Sequence, residues 1–449
     1  MPLTIDTSNR TFQEAADHVL QSGESLFLTG RAGTGKTTFL KYIMEATTKR
    51  HAVVAPTGIA ALNAGGMTVH SMFGIPPRPF SPEAPPEVIA RNVKLFGWKR
   101  KILEKIELLI IDEVSMVRAD LLDTIDHVLR NQRKAPGAAT KPFGGAQVLM
   151  IGDPYQLPPV VRTDERLDLL FHYGSPFFFD AHSFKALAPR TIELEHIYRQ
   201  KDDRFKELLN AIRGGDIGPG VQELLGTRVK PDLASAPPEG YITLSSHRRT
   251  ADAINKRELA ALSGKTTSYE GAIKGKFNEK DAPAPMLLEL KVGAQVMFVK
   301  NDSEGRFKNG SLGTVTRLFK DEVEVELHDP PPSHKNDPEI SVKAAQWDKI
   351  KYAANEQTGK LEEQSEGSFK QIPLTLAWAV TIHKSQGLTL EKVVADVAAC
   401  FDSGQTYVAL SRCTTLEGLV LPAMPTARAI TVAPEVQAFM AATTAGTEA

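Results

Sequence analysis

A glycine-rich segment at residues 30–37 has the residue types and spacing of a phosphate-binding loop. It reads GRAGTGKT, with an apolar strand pattern before it at 25–29 and a helical pattern after it at 38–43. Glycine N–H groups and the helix N-terminus would bind phosphate oxygens, which disfavours a chance turn. Lys36 would reach the β- and γ-phosphates of ATP, and the Thr37 hydroxyl would bind Mg²⁺. The segment's predicted nucleotide contacts are Gly33, Thr34, Gly35, Lys36, Thr37 and Thr38.

Two carboxylates follow the apolar run LLII at 108–111, which is typical of a parallel strand buried on both faces. Asp112 would hold the Mg²⁺ directly or through water. Glu113 would orient and deprotonate the water that attacks ATP. An alternative is that the acids cap the next helix. Glu113 alone could do so, but the phosphate-binding loop upstream argues against this role for both acids together.

Three further polar residues are candidates for contact with the γ-phosphate. Gln156 follows a buried strand pattern at 147–151, at the end where α/β sheets bind ligands. Arg199 follows a strand pattern at 191–195, and Arg412 lies in the segment YVALSR. An arginine supplied from a second domain can neutralise charge on a transferring phosphoryl group. Taken singly, each arginine is more often a surface charge, and the Gly-Asp-Pro turn before Gln156 is common.

The composition is that of an ordinary soluble globular protein. The chain has 449 residues, enough for about three domains, with 42% hydrophobic and 24% charged residues. No apolar run approaches the ~20 residues of a membrane span, and the N-terminus has no signal-peptide core. Cys400 and Cys413 lack metal-type spacing and are interpreted as reduced thiols. We therefore expect a cytoplasmic protein of bacterial type, associated with the nucleoid rather than with a membrane.

The charge balance excludes a generic polycation that coats nucleic acid. The net charge is −1, but a local basic channel remains compatible with it. Each of two basic clusters fits either such a channel or, more commonly, a solvated helix face. The clusters are Lys94, Lys99, Arg100, Lys101 and Lys105, and Arg248, Arg249, Lys256 and Arg257.

The pattern of elements predicts an α/β protein of three parts. Residues 1–200 alternate strands and helices around the phosphate-binding loop, with an irregular, proline-rich insertion at 72–100. A second α/β domain is predicted from 201–274 together with 371–449. Between its two parts, residues 275–370 carry alternating strand patterns and a turn signal at Asn309-Gly310, which indicate a small inserted β-barrel.

Four longer segments, in a fixed order, resemble one family. They are APTGIAALNAGGMTVHSMFGIP at 55–76, IELLIIDEVSMVRADLLD at 106–123, LKVGAQVMFVKND at 290–302 and AWAVTIHKSQGLTL at 377–390. The chain resembles the Pif-one DNA helicases of superfamily one, in the branch that includes RecD-like enzymes. The resemblance covers about 9–421. It implies two RecA-like P-loop NTPase domains, a wedge or pin at 72–100 and an SH3-like barrel at 275–370.

The resemblance also implies roles for individual residues. Asn9 and Gln13 would recognise adenine, and Gly387 would face both ATP and DNA. Lys36, Glu113, Gln156, Arg199 and Arg412 would be the catalytic set. The implied contacts with single-stranded DNA are Pro56, Thr57, Gly58, His70 and Ser71 in the first domain and Thr381, His383, Lys384 and Ser385 in the second. Without the resemblance, His70 and His383 would be interpreted as packing histidines.

The implied function is an ATP-dependent DNA helicase that uses Mg²⁺ and moves 5′→3′ on single strands. Polarity rests on the resemblance alone. The family acts on forks, G-quadruplexes and RNA–DNA hybrids, and no residue here chooses among them. One alternative is an ATP-driven translocase or remodelling switch without strand separation. Another is that the barrel recruits a replication or repair protein. In the insertion, Phe80, Phe96 and Trp98 would stack on bases or pack the insertion itself.

Overall fold

The chain forms two compact units. The computed structural model describes residues 6, 9–76, 89, 92–95, 97–162, 165–234, 238–302, 304–354 and 361–445. One unit comprises Met1–Tyr198, Lys349–Ser365 and Ala433–Ala449, and the other comprises Arg199–Asp348 and Glu366–Val432. Phe80 and Phe96, with about half of the predicted wedge, lie outside the described residues, whereas Trp98 lies in the first turn of a described helix.

The first unit is built on a six-stranded parallel sheet. Its strands are β1 (Leu26–Gly30), β2 (His51–Ala55), β3 (Met67–Thr68), β4 (Leu108–Ile111), β5 (Gln147–Ile151) and β6 (Arg190–Leu194). The order is β3-β2-β4-β5-β1-β6, so β4, β5 and β1 are neighbours. β1, β4 and β5 are buried along their whole length, which explains their continuous apolar sequences. The predicted bounds of β4 and β5 are confirmed.

Helices cover this sheet and bury its apolar residues. They are α1 (Arg10–Gln21), α2 (Lys36–Ala46), α3 (Gly58–Ala64), α4 (Val69–Phe73), α5 (Gly97–Lys105), α6 (Ala119–Gln132), α7 (Arg166–Tyr173) and α8 (His182–Leu187). Asn9 caps α1, because its side chain accepts a bond from the Phe12 N–H, and α1 buries Phe12 against Phe39 of α2. The predicted α/β class with a parallel sheet is therefore confirmed.

The second unit combines a parallel sheet with antiparallel sheets. Its strands are β7 (Ile242–Ser245), β8 (Thr267–Glu270), β9 (Ala272–Gly275), β10 (Leu287–Leu290), β11 (Gln295–Phe298), β12 (Leu312–Leu318), β13 (Glu322–Leu327), β14 (Glu339–Lys343), β15 (Ala345–Ala354), β16 (Leu361–Gln371), β17 (Leu374–Leu376), β18 (Ala379–Thr381), β19 (Val393–Asp396) and β20 (Leu419–Val420). The end of β15 and the start of β16 fall within Lys349–Ser365, which is grouped with the first unit. Its helices are α9 (Asp203–Gly214), α10 (Pro219–Gly226), α11 (Arg248–Ala261) and α12 (Gln405–Leu410). The parallel sheet has the order β18-β7-β19-β20.

The antiparallel strands extend beyond the interval predicted for them. β8 starts at Thr267 and pairs with β10, and β17 pairs with β11 up to Leu376. These two pairings reach beyond 275–370 at both ends, and the bounds of the inserted barrel stay a prediction. Such pairing partners are distant in sequence, so the local pattern alone did not reveal them.

The last helix, α13 (Pro434–Ala445), belongs to the first unit. Phe439 stacks on Phe179 with ring centroids 4.2 Å apart, and it also meets Phe27 at 6.0 Å. The prediction had placed 371–449 wholly in the second domain, and this packing corrects it. The helix packs where the Phe439 side chain can be buried against other aromatic rings, although the segments that precede it in the sequence belong to the second unit. Both cysteines are buried and unpaired, and no described helix is long and apolar enough to cross a membrane.

Candidate nucleotide site and nucleic-acid interface

The phosphate-binding loop connects β1 to α2. Gly30 has φ 152°, and a Cβ there would lie 2.6 Å from the Leu194 carbonyl oxygen, so only glycine fits against β6. Gly35 is left-handed and precedes the first turn of α2. Lys36 Nζ donates to the Gly30 and Arg31 carbonyls at 2.5 and 3.0 Å. The ammonium group therefore lies over the loop where phosphate oxygens would bind.

The acidic pair lies directly after β4. Asp112 donates its N–H to the Val54 carbonyl at 2.9 Å, which fixes it to the end of β2. Glu113 has φ 51° and ψ 44°, a conformation that costs a non-glycine residue roughly 1–2 kcal/mol. Backbone strain of this kind is concentrated at functional sites. The turn directs two successive carboxylates away from the strand end.

The electrostatics of the pair fit a bound divalent cation. Burial, and next the negative charge of Glu113, raise the pKa of Asp112 to about 7, while Lys36 lowers it. A buried carboxylate beside a second carboxylate is stabilised as an anion when a cation binds, and Mg²⁺ prefers oxygen ligands. Asp112 and the Thr37 hydroxyl would supply such ligands, and Glu113 beside them would remain available as the base.

Gln156 lies after β5, close to the acidic pair. The two strand ends pack so tightly that a Cβ at Gly152 would come within 3.1 Å of the Val114 and Ser115 backbone nitrogens. Gln156 is buried and donates to Asp153 Oδ2 at 3.2 Å, and Asp153 is itself fully buried. Gln156, the predicted γ-phosphate sensor, is thus positioned by Asp153, a residue that sequence reasoning did not select.

Asn9, one of the two predicted adenine residues, contacts Tyr198, which sequence reasoning missed. Asn9 Nδ2 donates to the Tyr198 hydroxyl at 3.0 Å, and the Tyr198 N–H donates to the Gly33 carbonyl at 2.9 Å. The Tyr198 ring would lie 3.8 Å from a Cβ at Gly35 and remains 43% exposed. Gln13 is exposed on α1. An exposed ring beside the loop offers a flat face to a nucleobase.

Arg199 is the first residue of the second unit, although the prediction had included it in the first domain. Its Nε donates to Thr389 Oγ1 at 3.1 Å and its Nη1 to the Ser411 carbonyl at 3.0 Å. Arg412 is only 2% exposed, and its Nε donates to the Val408 carbonyl at 2.8 Å. Its Nη2 donates to Ser411 Oγ, so both arginines bind Ser411.

The two arginines are close enough to influence each other's charge. Burial, and next the positive charge of Arg412, lower the pKa of Arg199 to about 9, which leaves it charged at neutral pH. Two positive charges that are partly removed from water are stabilised when an anion binds beside them. The buried Gln200 side chain also fixes the segment, because it donates to the Ser411 and Cys413 carbonyls. Gln200 was another residue missed from the sequence.

The DNA candidates of the first unit follow β2 and β3. Pro56 and Thr57 come directly after β2, and Thr57 caps α3 by accepting a bond from the Ala60 N–H at 3.2 Å; Gly58 starts that helix. His70 lies 3.2 Å from the Ile75 carbonyl through Nδ1 and is half-buried, beside Ser71 in α4. Burial lowers the pKa of His70, which favours a neutral ring that can donate or accept a hydrogen bond.

In the second unit the DNA candidates follow β18. Thr381 ends this strand and accepts a bond from the Lys384 N–H at 3.3 Å, while His383 is half-buried between them. Ser385 is fully buried and donates to the Ile382 carbonyl at 2.8 Å. Its side chain therefore stabilises the turn, and the contact of Ser385 with DNA stays a prediction. Gly387 has φ 80° and is exposed.

Comparison with known proteins agrees with this arrangement. The PIF1-like helicase family model matches residues 5–222. The ATP-dependent DNA helicase Pif1 of Bdellovibrio bacteriovorus is 33% identical over 415 residues, which cover 91% of this chain and 86% of that protein. The chain belongs to the PIF1-like helicase family.

Other PIF1-like proteins extend the match. The crystal structure of Bacteroides sp Pif1 in complex with ADP-AlF4 is 40% identical, with a TM-score of 0.88, over 99% of this chain and 98% of that one. The human ATP-dependent DNA helicase PIF1 is 34% identical over 91% of this chain but only 59% of its own length. The chain thus spans about three fifths of some of its PIF1 relatives.

Proposed function

We propose that this protein is an ATP-dependent DNA helicase that moves 5′→3′ on single-stranded DNA and separates duplex or structured DNA. The observation that carries the proposal is a divided set of catalytic groups. The phosphate-binding loop and acidic pair lie in the first unit, and the paired arginines Arg199 and Arg412 lie in the second. Such a division suits a motor, because hydrolysis then depends on the two units acting together.

The relatives support this assignment. The Bdellovibrio bacteriovorus protein is an ATP-dependent DNA helicase. Bacteroides Pif1 has been solved bound to single-stranded DNA, at 39% identity and a TM-score of 0.67 over 98% of this chain and 97% of that one. We infer two RecA-like domains centred on the two parallel sheets, an SH3-like barrel from the antiparallel strands and a wedge near 72–100.

In the proposed reaction, the loop N–H groups and Lys36 hold the β- and γ-phosphates of ATP. Thr37 and Asp112 would hold Mg²⁺, which supplies positive charge at those phosphates when it is bound. Glu113 orients the attacking water and accepts a proton from it, and Gln156 senses the γ-phosphate. Arg199 and Arg412 neutralise the charge that develops on the transferring group.

Translocation needs two surfaces that hold DNA in turn. Thr57, His70 and Ser71 form the proposed surface of the first unit, and Thr381, His383 and Lys384 form that of the second. Short hydroxyl, imidazole and ammonium groups bind sugar and phosphate without reading sequence. ATP drives the cycle only if it binds one arrangement of the units better than the other.

The test is unwinding of two duplexes that differ only in tail polarity, with and without ATP and Mg²⁺. We expect the duplex with a 5′ single-stranded tail to open and the one with a 3′ tail to stay closed. Opening of the 3′-tailed duplex alone would overturn the polarity. DNA-stimulated hydrolysis with neither duplex opened would replace the helicase with a translocase or ATP switch.

Replacing Tyr198 with alanine should raise the KM for ATP about tenfold, the effect of losing an aromatic contact of ~1.4 kcal/mol. The variant loses the exposed ring beside Gly35, whereas Tyr198→Phe keeps the ring and loses only the hydroxyl, which accepts from Asn9 and donates to Asp6. Steady-state hydrolysis at varied ATP measures both. If the phenylalanine variant is as weak as the alanine variant, the hydrogen bonds of the hydroxyl rather than the ring are what matter.

A further inference from the structure

Phe401 is a large apolar side chain exposed at the end of a parallel strand. It follows β19 and is 53% exposed. Its ring centroid lies 5.3 Å from that of His247, with the planes tilted by 52°. His247 follows β7 and precedes α11. Two rings from neighbouring strand ends are therefore in contact at the surface of the second unit.

The register of the sheet places these rings beside the proposed DNA contacts. Ser245, the last residue of β7, pairs with Thr381 of β18 on one side and with Asp396 of β19 on the other. The three strands are parallel and end at the same level. His247 and Phe401 thus leave the same sheet edge as Thr381 and His383, so one strand of DNA following this edge would meet both groups.

The backbone of Phe401 is hydrogen-bonded to a buried side chain, while its ring is exposed. Its N–H donates to Gln405 Oε1 at 3.4 Å, and Gln405 Nε2 donates to Asp402 Oδ2 at 2.9 Å. Gln405 is fully buried. His247 is fixed in turn, because its Nδ1 lies 2.8 Å from Ser246 Oγ. A fixed aromatic ring loses little conformational entropy when a flat ligand stacks on it.

Two basic residues lie near His247 on this sheet edge. Arg248, the first residue of α11, directly follows His247, and most of its side chain is exposed although it pairs with Asp252 at 3.4 Å. Lys384 is near both of these charges, because removal from water and then the charge of Arg248 lower its pKa while the charge of Asp252 raises it. An aromatic face on the same sheet edge as basic side chains matches the chemistry of a base next to phosphates.

We propose that Phe401, oriented by His247, stacks on a base of single-stranded DNA, while Arg248 and Lys384 bind the phosphates on either side. The inference rests on the proposed function, since it assumes that this sheet edge holds DNA. Stacking is independent of sequence because every base has an aromatic face, so the contact suits a motor. It would add a base contact to a set of residues that otherwise holds only sugar and phosphate.

The test compares binding of two labelled strands of about fifteen units, within the usual site size, by fluorescence anisotropy. One strand is oligothymidylate, and the other is an abasic sugar-phosphate strand of equal length. Phe401→Ala should weaken oligothymidylate binding about tenfold and leave abasic binding unchanged, because only bases stack. Phe401→Trp should bind oligothymidylate like the wild type. Phe319→Ala is the matched control, since Phe319 is an exposed phenylalanine of the same unit next to β12.

The outcomes separate this inference from the proposed function. Equal oligothymidylate binding by wild type and Phe401→Ala would overturn stacking and leave the helicase proposal intact. Equal loss on both strands would show that Phe401 only supports the local fold, which also overturns stacking. Phe401→Leu keeps apolar bulk without a ring, so it should show the same selective loss if the alanine variant does not fold. Failure of the wild type to bind either strand would refute the proposed function itself.

Discussion

Replacing Arg412 with alanine should lower the kcat of DNA-stimulated ATP hydrolysis by about 10³-fold or more, the range typical of an arginine supplied to a phosphoryl-transfer site. The KM for ATP should change far less, because the phosphate-binding loop and Lys36 still bind the ground state. The guanidinium is held by the Val408 carbonyl and Ser411 Oγ, which position it before any nucleotide arrives. Steady-state kinetics with saturating single-stranded DNA measures both constants.

A second variant guards against loss of fold, since Arg412 is almost fully buried. Arg412→Lys keeps a positive charge but not the planar fork, and it should also lose most of the activity. Arg228→Ala is the control, because Arg228 likewise donates to backbone carbonyls, those of Leu419 and Glu417, in the same unit. If the lysine variant turns over ATP at the wild-type rate while folded, Arg412 is structural and Arg199 is the remaining candidate.

Replacing Glu113 with glutamine should lower the hydrolysis rate by about 10²–10⁴-fold, the usual contribution of a general base. Nucleotide affinity should be retained or improved, because the change removes a negative charge that raises the pKa of Asp112. Glutamine has nearly the same shape and keeps the left-handed turn that directs the side chain. Single-turnover hydrolysis and binding of a fluorescent ADP analogue separate the two effects.

Glu107→Gln supplies the matched control for this experiment. Glu107 immediately precedes β4, whereas Glu113 follows it, and the Glu107 carboxylate bonds Arg50 at 3.1 Å on the surface. The control should hydrolyse ATP at the wild-type rate. A Glu113→Gln protein that hydrolyses as fast as this control would assign the base to another residue.

Local sequence predicted the elements that are buried on both sides. LLII at 108–111 and QVLMI at 147–151 are strands with those bounds because only continuous apolar runs fit the middle of a parallel sheet. GRAGTGKT required no tertiary information either, since its glycines, lysine and following helix are contiguous. The six-stranded order then brings the ends of β1, β4 and β5 together, as the motif predicted.

Pairings between distant segments could not be predicted in this way. Thr267–Glu270 has a weak strand pattern, and its assignment depends on Leu287–Leu290 across the sheet. Arg199 groups with the second unit because a domain boundary depends on which surfaces pack, and its hydrogen bonds lead to Thr389 and Ser411. Tyr198, one residue earlier, bonds instead to Asn9 and Gly33 of the first unit.

The sequence by itself determined the family and the class of the fold, because these depend on residue types at short spacing, and it predicts the chemistry of the nucleotide site in the same way. Tertiary structure alone decided that Arg199 lies with Arg412, that α13 packs on Phe27 and Phe179, and that Ser385 points inward. It also placed Phe401 against His247, although the two residues lie far apart in the sequence. The physical reason is that burial and hydrogen bonding are satisfied by whichever groups the folded chain brings together, whatever their separation in sequence.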